Sequence, residues 1–254
     1  MSDLAFKDMR LDTALPSESA RPRPAVDYWT SASGLPIAWK DALPVLPELG
    51  DDRRRYLVQK RIIDLVLSGL ALAALAPLFL IVAIAVKATS KGPVFFKQTR
   101  EGIGGSEFLC FKFRSMAEDA CDPSGVAQTV RNDSRVTPIG RFIRKTSIDE
   151  LPQLINVWRG DMSLVGPRPH VRGMRAGGID YTTLVPYYSR RLDVLPGLTG
   201  WAQCNGLRGP TDDAKLAKAR IDHDVAYCQN LSLWLDLKIL ALTVKNEFLG
   251  GSGI

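Results

Sequence analysis

The feature that most limits what this chain can fold into is Ile62–Val86, where 21 of 25 residues are Ala, Val, Ile, Leu or Phe and the exceptions are Asp64, Ser68, Gly69 and Pro77. As a helix it would extend roughly 37 Å at about 1.5 Å per residue, enough to cross the hydrocarbon of a bilayer. Two features argue against a plain span. Positive residues flank both ends, with Arg53, Arg54, Arg55, Lys60 and Arg61 before it and Lys87 and Lys91 after it, and positive flanks favour the cytoplasmic side. Pro77, near the middle, removes a backbone donor and clashes with the preceding turn, at a cost of about 3 kcal/mol. A re-entrant helix that bends at Ala76-Pro77 and a kinked span both satisfy these residues.

The flanking regions differ in composition. Residues 1–55 hold six of the sixteen prolines and show no apolar periodicity, which predicts a solvated tail. The opening residues carry no apolar core and no small-residue cleavage site, so no signal peptide is expected. From Gly92 the pattern becomes mixed α/β. Pro93–Gln98 and Phe108–Arg114 predict a β-hairpin around the glycine-rich loop at 101–106. Ile139–Lys145 predicts a short basic helix or turn, and Leu151–Trp158, Asp213–Gln229 and Leu231–Phe248 predict helices, the last either core or lying in the bilayer interface with Trp234 at headgroup level. His170 and His223, with Cys110, Cys121, Cys204 and Cys228, form no C-x-x-C or H-x-x-x-H pair, so neither structural zinc nor a disulfide scaffold is expected. The glycines form no nucleotide-binding P-loop or Rossmann fingerprint. A formal net charge of +6 points to anionic partners.

Three stretches carry residues suited to chemistry. In Ser147-Ile148-Asp149-Glu150-Leu151-Pro152 the Ser147/Glu150 spacing fits a capping box, while Asp149 as the cap would put Pro152 inside the first turn. Either register sets two carboxylates at a positive helix end, where an ionised carboxylate can attack phosphorus or hold a hard cation. In Gly166-Pro167-Arg168-Pro169 the prolines limit the backbone and would orient the Arg168 guanidinium toward phosphate; a rigid turn with a solvated Arg fits as well. In Pro196–Gly209, glycines permit close approach to a ligand, Gln203 and Asn205 can read amide-like edges, and Arg208 can meet phosphate. A tight hairpin explains that stretch equally. Arg114, Arg144 and Lys145 add positive charge if the fold gathers them.

Lys60-Arg61-x-x-Asp64, GPVFFKQTREG at 92–102, KFRSM at 112–116, TSIDELPQLINVWRGDMSLVGPRP at 146–169 and PGLTGWAQCNGLRG at 196–209 occur in that order. In these motifs the chain resembles the bacterial sugar transferases, and more narrowly the monotopic phosphoglycosyl transferases of the small, ExoY-like form. The resemblance covers about residues 56–249. It implies a membrane-associated α/β protein: a flexible tail at 1–55, a re-entrant helix–break–helix hairpin at 56–91 marked by Lys60, Arg61, Asp64 and Pro77, and a small mixed α/β cytosolic catalytic domain at 92–254 with interfacial amphipathic helices. Family members often carry Ser-Pro at the break, where this chain has Ala76-Pro77.

The resemblance also implies chemistry. Asp149 would be the nucleophile toward the β-phosphate of a UDP-sugar, with Glu150 assisting and Mg²⁺, bound by Asp149, neutralising the phosphates. UMP would leave, and undecaprenyl phosphate would accept the sugar phosphate. Arg144 matches a phosphate-binding position, and Arg114, Arg168, Gln203, Asn205 and Arg208 complete the expected substrate contacts. The expected location is the bacterial inner membrane with the catalytic domain facing the cytoplasm. Membrane lipids and downstream glycosyltransferases are the expected further partners, and nucleic acid is not. Two other readings account for the residues without the family: a basic membrane-anchored binder of anionic lipid or nucleic acid, and a phosphohydrolase built on the same dyad.

Overall fold

A helix of 39 residues, α1 (Asp51–Thr89), carries the apolar segment. The computed structural model describes residues 51–117, 133–209 and 212–250; the expected tail through residue 50, and Cys121, lie outside the described residues. Residues 51–55, expected in the tail, belong to α1. The helix is uninterrupted at Pro77, which differs from the helix–break–helix the resemblance implies. Pro77 lies on the exposed face of α1, so its ring meets no packed neighbour there.

Burial along α1 follows the helical period. Arg61, Asp64, Ser68, Val82 and Val86 are buried, while Ile62, Val66, Leu70, Leu80, Ile81 and Ile84 are more than half exposed. Spacings of three and four place each set on one side of the helix. The inner side packs on the rest of the protein along nearly the whole helix: Ala71, Leu72 and Leu75 against the main core, then Leu78, Phe79, Val82 and Val86 against Phe113 and Ile143. The outer side remains apolar and bare. By length and composition α1 is the one helix among the described residues apolar enough to cross a membrane.

The predicted hairpin forms from β1 (Phe95–Glu101) and β2 (Glu107–Phe113), antiparallel with Phe95 opposite Phe113. Its connection is a 3-10 turn in which Gly104 and Gly105 adopt φ of 61° and 77°, a region that favours glycine. The alternation of β2 sends Phe113 into the core, 5.2 Å from the Phe79 ring and 5.4 Å from Phe95. Helix α2 (Pro138–Lys145) starts at Thr137, whose hydroxyl accepts from the Gly140 N–H at 3.0 Å, with Pro138 in the first turn. Helix α3 (Gln153–Arg159) ends at Gly160 in the left-handed region, φ 94°. Asn156 on α3 is fully buried and joins the helix to the hairpin: its amide nitrogen donates to Leu109 O at 2.7 Å and its oxygen accepts from Phe111 N at 2.9 Å.

After α3 come β3 (Ser163–Val165), the short hairpin β4 (Arg175–Ala176) and β5 (Ile179–Asp180), α4 (Tyr181–Leu184), β6 (Gly197–Thr199), α5 (Trp201–Cys204), α6 (Ala214–Gln229) and α7 (Leu233–Gly250). Strands β3 and β6 pair in parallel. The stretch at 196–209 is therefore a strand followed by a short helix, not a tight hairpin. The glycines at this crossing leave no room for a side chain: a Cβ on Gly197 would lie 2.1 Å from Gly166 N, and one on Gly166 would lie 2.4 Å from Leu195 O. The main core joins Leu154, Val157, Met162, Val165, Trp201, Tyr227 and Ile239. A second cluster holds Tyr181, Val185, Tyr188, Ala217, Ile221 and Val225. Helix α7 leaves Trp234, Leu237 and Val244 exposed, α2 leaves Phe142 and α3 leaves Trp158. The result is a mixed α/β protein with one long apolar helix.

Candidate active site

Neither helix-start register expected for the dyad occurs. Ser147 adopts φ 55°, the one non-glycine residue with positive φ among the described residues, and makes no side-chain cap. A 3-10 turn, Ile148–Glu150, follows, and Pro152 sits at the boundary of α3, where its missing N–H removes no helical hydrogen bond. Both carboxylates thus lie on a turn between α2 and α3. The dipole of a continuing helix contributes less there than the charged neighbours do.

The two carboxylates have different surroundings. Glu150 is gripped from two sides. Arg168 donates through both Nη atoms, at 2.9 Å and 2.5 Å, and Lys112 Nζ donates at 2.7 Å. Burial alone would raise the Glu150 carboxyl; Arg168 and then Lys112 outweigh it and hold it well below the usual carboxylate range. Asp149 is buried and accepts no hydrogen bond from the described residues. Burial pushes its carboxyl up to about 6, reinforced by the Glu150 charge and opposed chiefly by Lys112, then by Arg144 and Arg168. At neutral pH the site therefore offers one tied carboxylate and one ionised carboxylate with free oxygens.

The arginine opposite the dyad is fixed by its neighbours. Arg191, paired with Asp224, donates to Arg168 O at 2.5 Å, and Arg100 donates to Pro169 O at 2.9 Å. Sequence reasoning did not single out Arg100, Arg191 or Lys112. Lys112 shares its face of β2 with buried Phe108 and Cys110, and a cation in phase with two core residues was the available signal for a side chain with a buried partner.

The remaining expected contacts divide. Arg144, in the last turn of α2, is half-buried and its charge acts on Asp149. Arg208 pairs with Glu247 of α7, and Glu247 also lies 3.4 Å from the Ser147 hydroxyl, which brings Arg208 to the turn that carries the dyad. Gln203 donates to Leu198 O at 3.3 Å while its Oε1 is buried without a partner. Two others are engaged by backbone carbonyls. Arg114 is buried and donates to Lys91 O and Ser90 O, so it ties down the chain leaving α1 instead of presenting a free guanidinium. Asn205 donates to Trp201 O at 2.7 Å, closing α5.

Among the expected membrane markers, Lys60, Arg61 and Asp64 turn their charges to the protein. Lys60 pairs with Asp236 of α7 at 3.0 Å. Arg61 donates to Val157 O and Trp158 O at 2.7 and 2.9 Å, satisfying carbonyls at the end of α3. Asp64 accepts from Leu164 N of β3 at 3.0 Å. The motif is the joint between α1 and the domain, and only the flanking Arg53, Arg54, Arg55, Lys87 and Lys91 remain exposed as positive signals.

No group of three metal-ligating side chains occurs among the described residues. That donor set does not fit an all-protein cage. It does fit Mg²⁺, which commonly binds through one or two carboxylates and completes its shell with waters and substrate phosphates; Asp149 has the free oxygens for this.

These features describe a mixed α/β enzyme domain built along one apolar helix, with its carboxylates set among cations. The chain belongs to the bacterial sugar transferase family, whose model matches residues 55–250. It is 53% identical over 197 residues to the exopolysaccharide production protein PSS of Rhizobium leguminosarum bv. phaseoli, a match covering 78% of this chain and 98% of that protein. It is 49% identical over 203 residues to a UDP-glucose:undecaprenyl-phosphate glucose-1-phosphate transferase of Caulobacter vibrioides, covering 79% and 72% of the two chains. A protein of the same description from Xanthomonas campestris pv. campestris is 47% identical over 195 residues, covering 76% of this chain but 40% of its relative. The protein is accordingly a transferase.

Proposed function

We propose that the protein transfers a sugar 1-phosphate from a UDP-hexose to undecaprenyl phosphate, with Asp149 as the nucleophile. The observation that carries this reading is the contrast within the dyad, one carboxylate locked by Arg168 and Lys112 and the other unpartnered. An Asp149 oxygen bonds to the β-phosphorus as the bond from that phosphorus to the bridging oxygen breaks, and UMP departs with the bridging oxygen. An oxygen of undecaprenyl phosphate then bonds to the same phosphorus, and the Asp149–phosphorus bond breaks. Two displacements at one phosphorus need one pocket used in turn. Glu150, held ionised, has no proton to donate at neutral pH; it orients Arg168 and Lys112 toward the phosphates. Mg²⁺ bound through Asp149 and the diphosphate would supply charge neutralisation. UDP-glucose is the first donor to test, because the relatives from Caulobacter and Xanthomonas act on it by description.

The same reading puts α1 in the inner membrane with the domain on the cytoplasmic side. Contact with the domain runs from Tyr56 to Val86, about 45 Å at 1.5 Å per residue. A transverse span would carry those contacts, and the polar domain with them, across the hydrocarbon. Entry into one leaflet by the bare face of α1, with Trp234 and Phe142 at headgroup depth, avoids this. Bending at Pro77 on insertion would make the re-entrant hairpin.

Incubating the protein in vesicles with UDP-[¹⁴C]glucose, undecaprenyl phosphate and Mg²⁺ should release UMP and label the lipid, while Asp149→Asn should do neither. Single-turnover trapping should map the labelled adduct to Asp149; an adduct on another residue removes the assignment. Water as the acceptor would instead favour the phosphohydrolase. Cysteines placed at residue 53 and in α6 should both react from the cytoplasmic side, and opposite sides would mean a span.

A further inference from the structure

The last turns of α7 touch both the dyad turn and the stretch from β6 to Arg208. Thr243 Oγ1 lies 2.6 Å from Thr199 Oγ1 at the end of β6, Asn246 donates to Cys204 O at 2.8 Å, and Glu247 meets both Arg208 and Ser147. Positions 243, 246 and 247 share one helix face. Farther up the same helix, Asp236 holds Lys60 and Tyr56 of α1 at 3.0 Å each. Glu247 stands out because neither of its contacts is needed to close the core. Its oxygens bridge a half-buried guanidinium, whose Nε is buried without a partner, to the hydroxyl of the residue with strained φ that begins the Asp149 turn.

We infer that Glu247 is a positioning residue of the active site, fixing the Arg208 guanidinium and the Ser147 end of the dyad turn relative to each other before substrate arrives. A serine in the left-handed region is held by its surroundings, since a free chain would leave that conformation. Glu247 supplies one of those restraints, at a residue two positions from the nucleophile. It also aims an arginine whose natural ligand, in the transferase reading on which this inference rests, is a phosphate of the nucleotide sugar. A displacement of the nucleophile or of a phosphate-binding group by about 1 Å is enough to lower turnover by two orders of magnitude.

The test is a double-mutant cycle on the full chain in vesicles, with initial rates of UMP release from UDP-glucose normalised to folded protein by near-UV circular dichroism. Glu247→Ala should lower kcat at least tenfold while the melting temperature changes little. Glu247→Gln, which can still bond both partners, should lose less than threefold. Arg208→Ala and Glu247→Ala combined should lose far less than the product of their separate losses, because the two act as a unit. Ser147→Gly, which accepts the positive φ without the hydroxyl, should likewise be non-additive with Glu247→Ala. Multiplicative losses, or a Glu247→Ala enzyme with wild-type kcat, would overturn the inference while leaving the transferase reading intact. A wild-type protein that releases no UMP from any UDP-sugar would overturn both.

Discussion

Replacing Asp149 by Asn should abolish transfer and at the same time make the protein more stable. Burial and the neighbouring Glu150 push the Asp149 carboxyl from an ordinary 3.8 to about 6. The native state therefore binds the proton more tightly than the unfolded chain does, and stability falls as pH rises through this interval. At about 1.4 kcal/mol per pH unit, the ionised carboxylate costs the native state about 3 kcal/mol at pH 7.5 and only about 1 kcal/mol at pH 4.5. Asn has nearly the same shape and no charge, so it removes this cost but buries an amide in its place. A net gain of about 1–3 kcal/mol at pH 7.5 follows, equivalent to roughly 2–12 °C in melting temperature for a protein of this size. Chemical denaturation of both proteins in detergent micelles, followed by tryptophan fluorescence at pH 7.5 and 4.5, measures it. The gain should be smaller by about 2 kcal/mol at the lower pH, since the cost of burying the amide does not change with pH. An Asn variant that is no more stable at pH 7.5, or whose gain is independent of pH, would refute the reasoning that burial sets the state of this carboxylate.

In the wild-type enzyme kcat/KM should rise with unit slope to an inflection near pH 6 and then level off, standing about tenfold below the plateau at pH 5, because the nucleophile must be ionised. Arg168→Lys should lower kcat/KM for UDP-glucose by about 10–100-fold, since one ammonium cannot reproduce the two-pronged contact with Glu150; steady-state UMP release measures this. Gly197→Ala should destabilise the protein by about 3 kcal/mol or more, because its methyl group would meet the Gly166 backbone at the β3–β6 crossing. A melting curve indistinguishable from wild type would show that the crossing can open.

The β1–β2 hairpin and helices α2, α3, α6 and α7 were legible because local signals mark them, while the short α4 and α5 were not. Runs rich in aromatic and β-branched residues mark β1 and β2, Thr137-Pro138 starts α2, Gly160 stops α3, and Asp213 accepts from the first N–H groups of α6. The dyad was visible as two adjacent carboxylates in a specific run of motifs. The capping register was misread because Ser147 takes a left-handed conformation that only its tertiary contacts hold in place. For Arg114 and Asn205 the sequence shows a charge and an amide group but not the partners that engage them. Each is engaged by a backbone carbonyl, 23 and 4 residues away in the chain respectively.

The sequence by itself determined the local elements, the apolar segment and the membership of the family, since helical periodicity, turn residues and motif order are properties of neighbours along the chain. Only the tertiary structure decided which of two adjacent carboxylates is free. That choice depends on where Lys112 and Arg168, 38 and 18 residues distant from Glu150, come to rest. It likewise decided that Lys60, Arg61 and Asp64 join α1 to the domain. Electrostatic roles are set by distance and burial in space, and a linear order of residues fixes neither until the chain has folded.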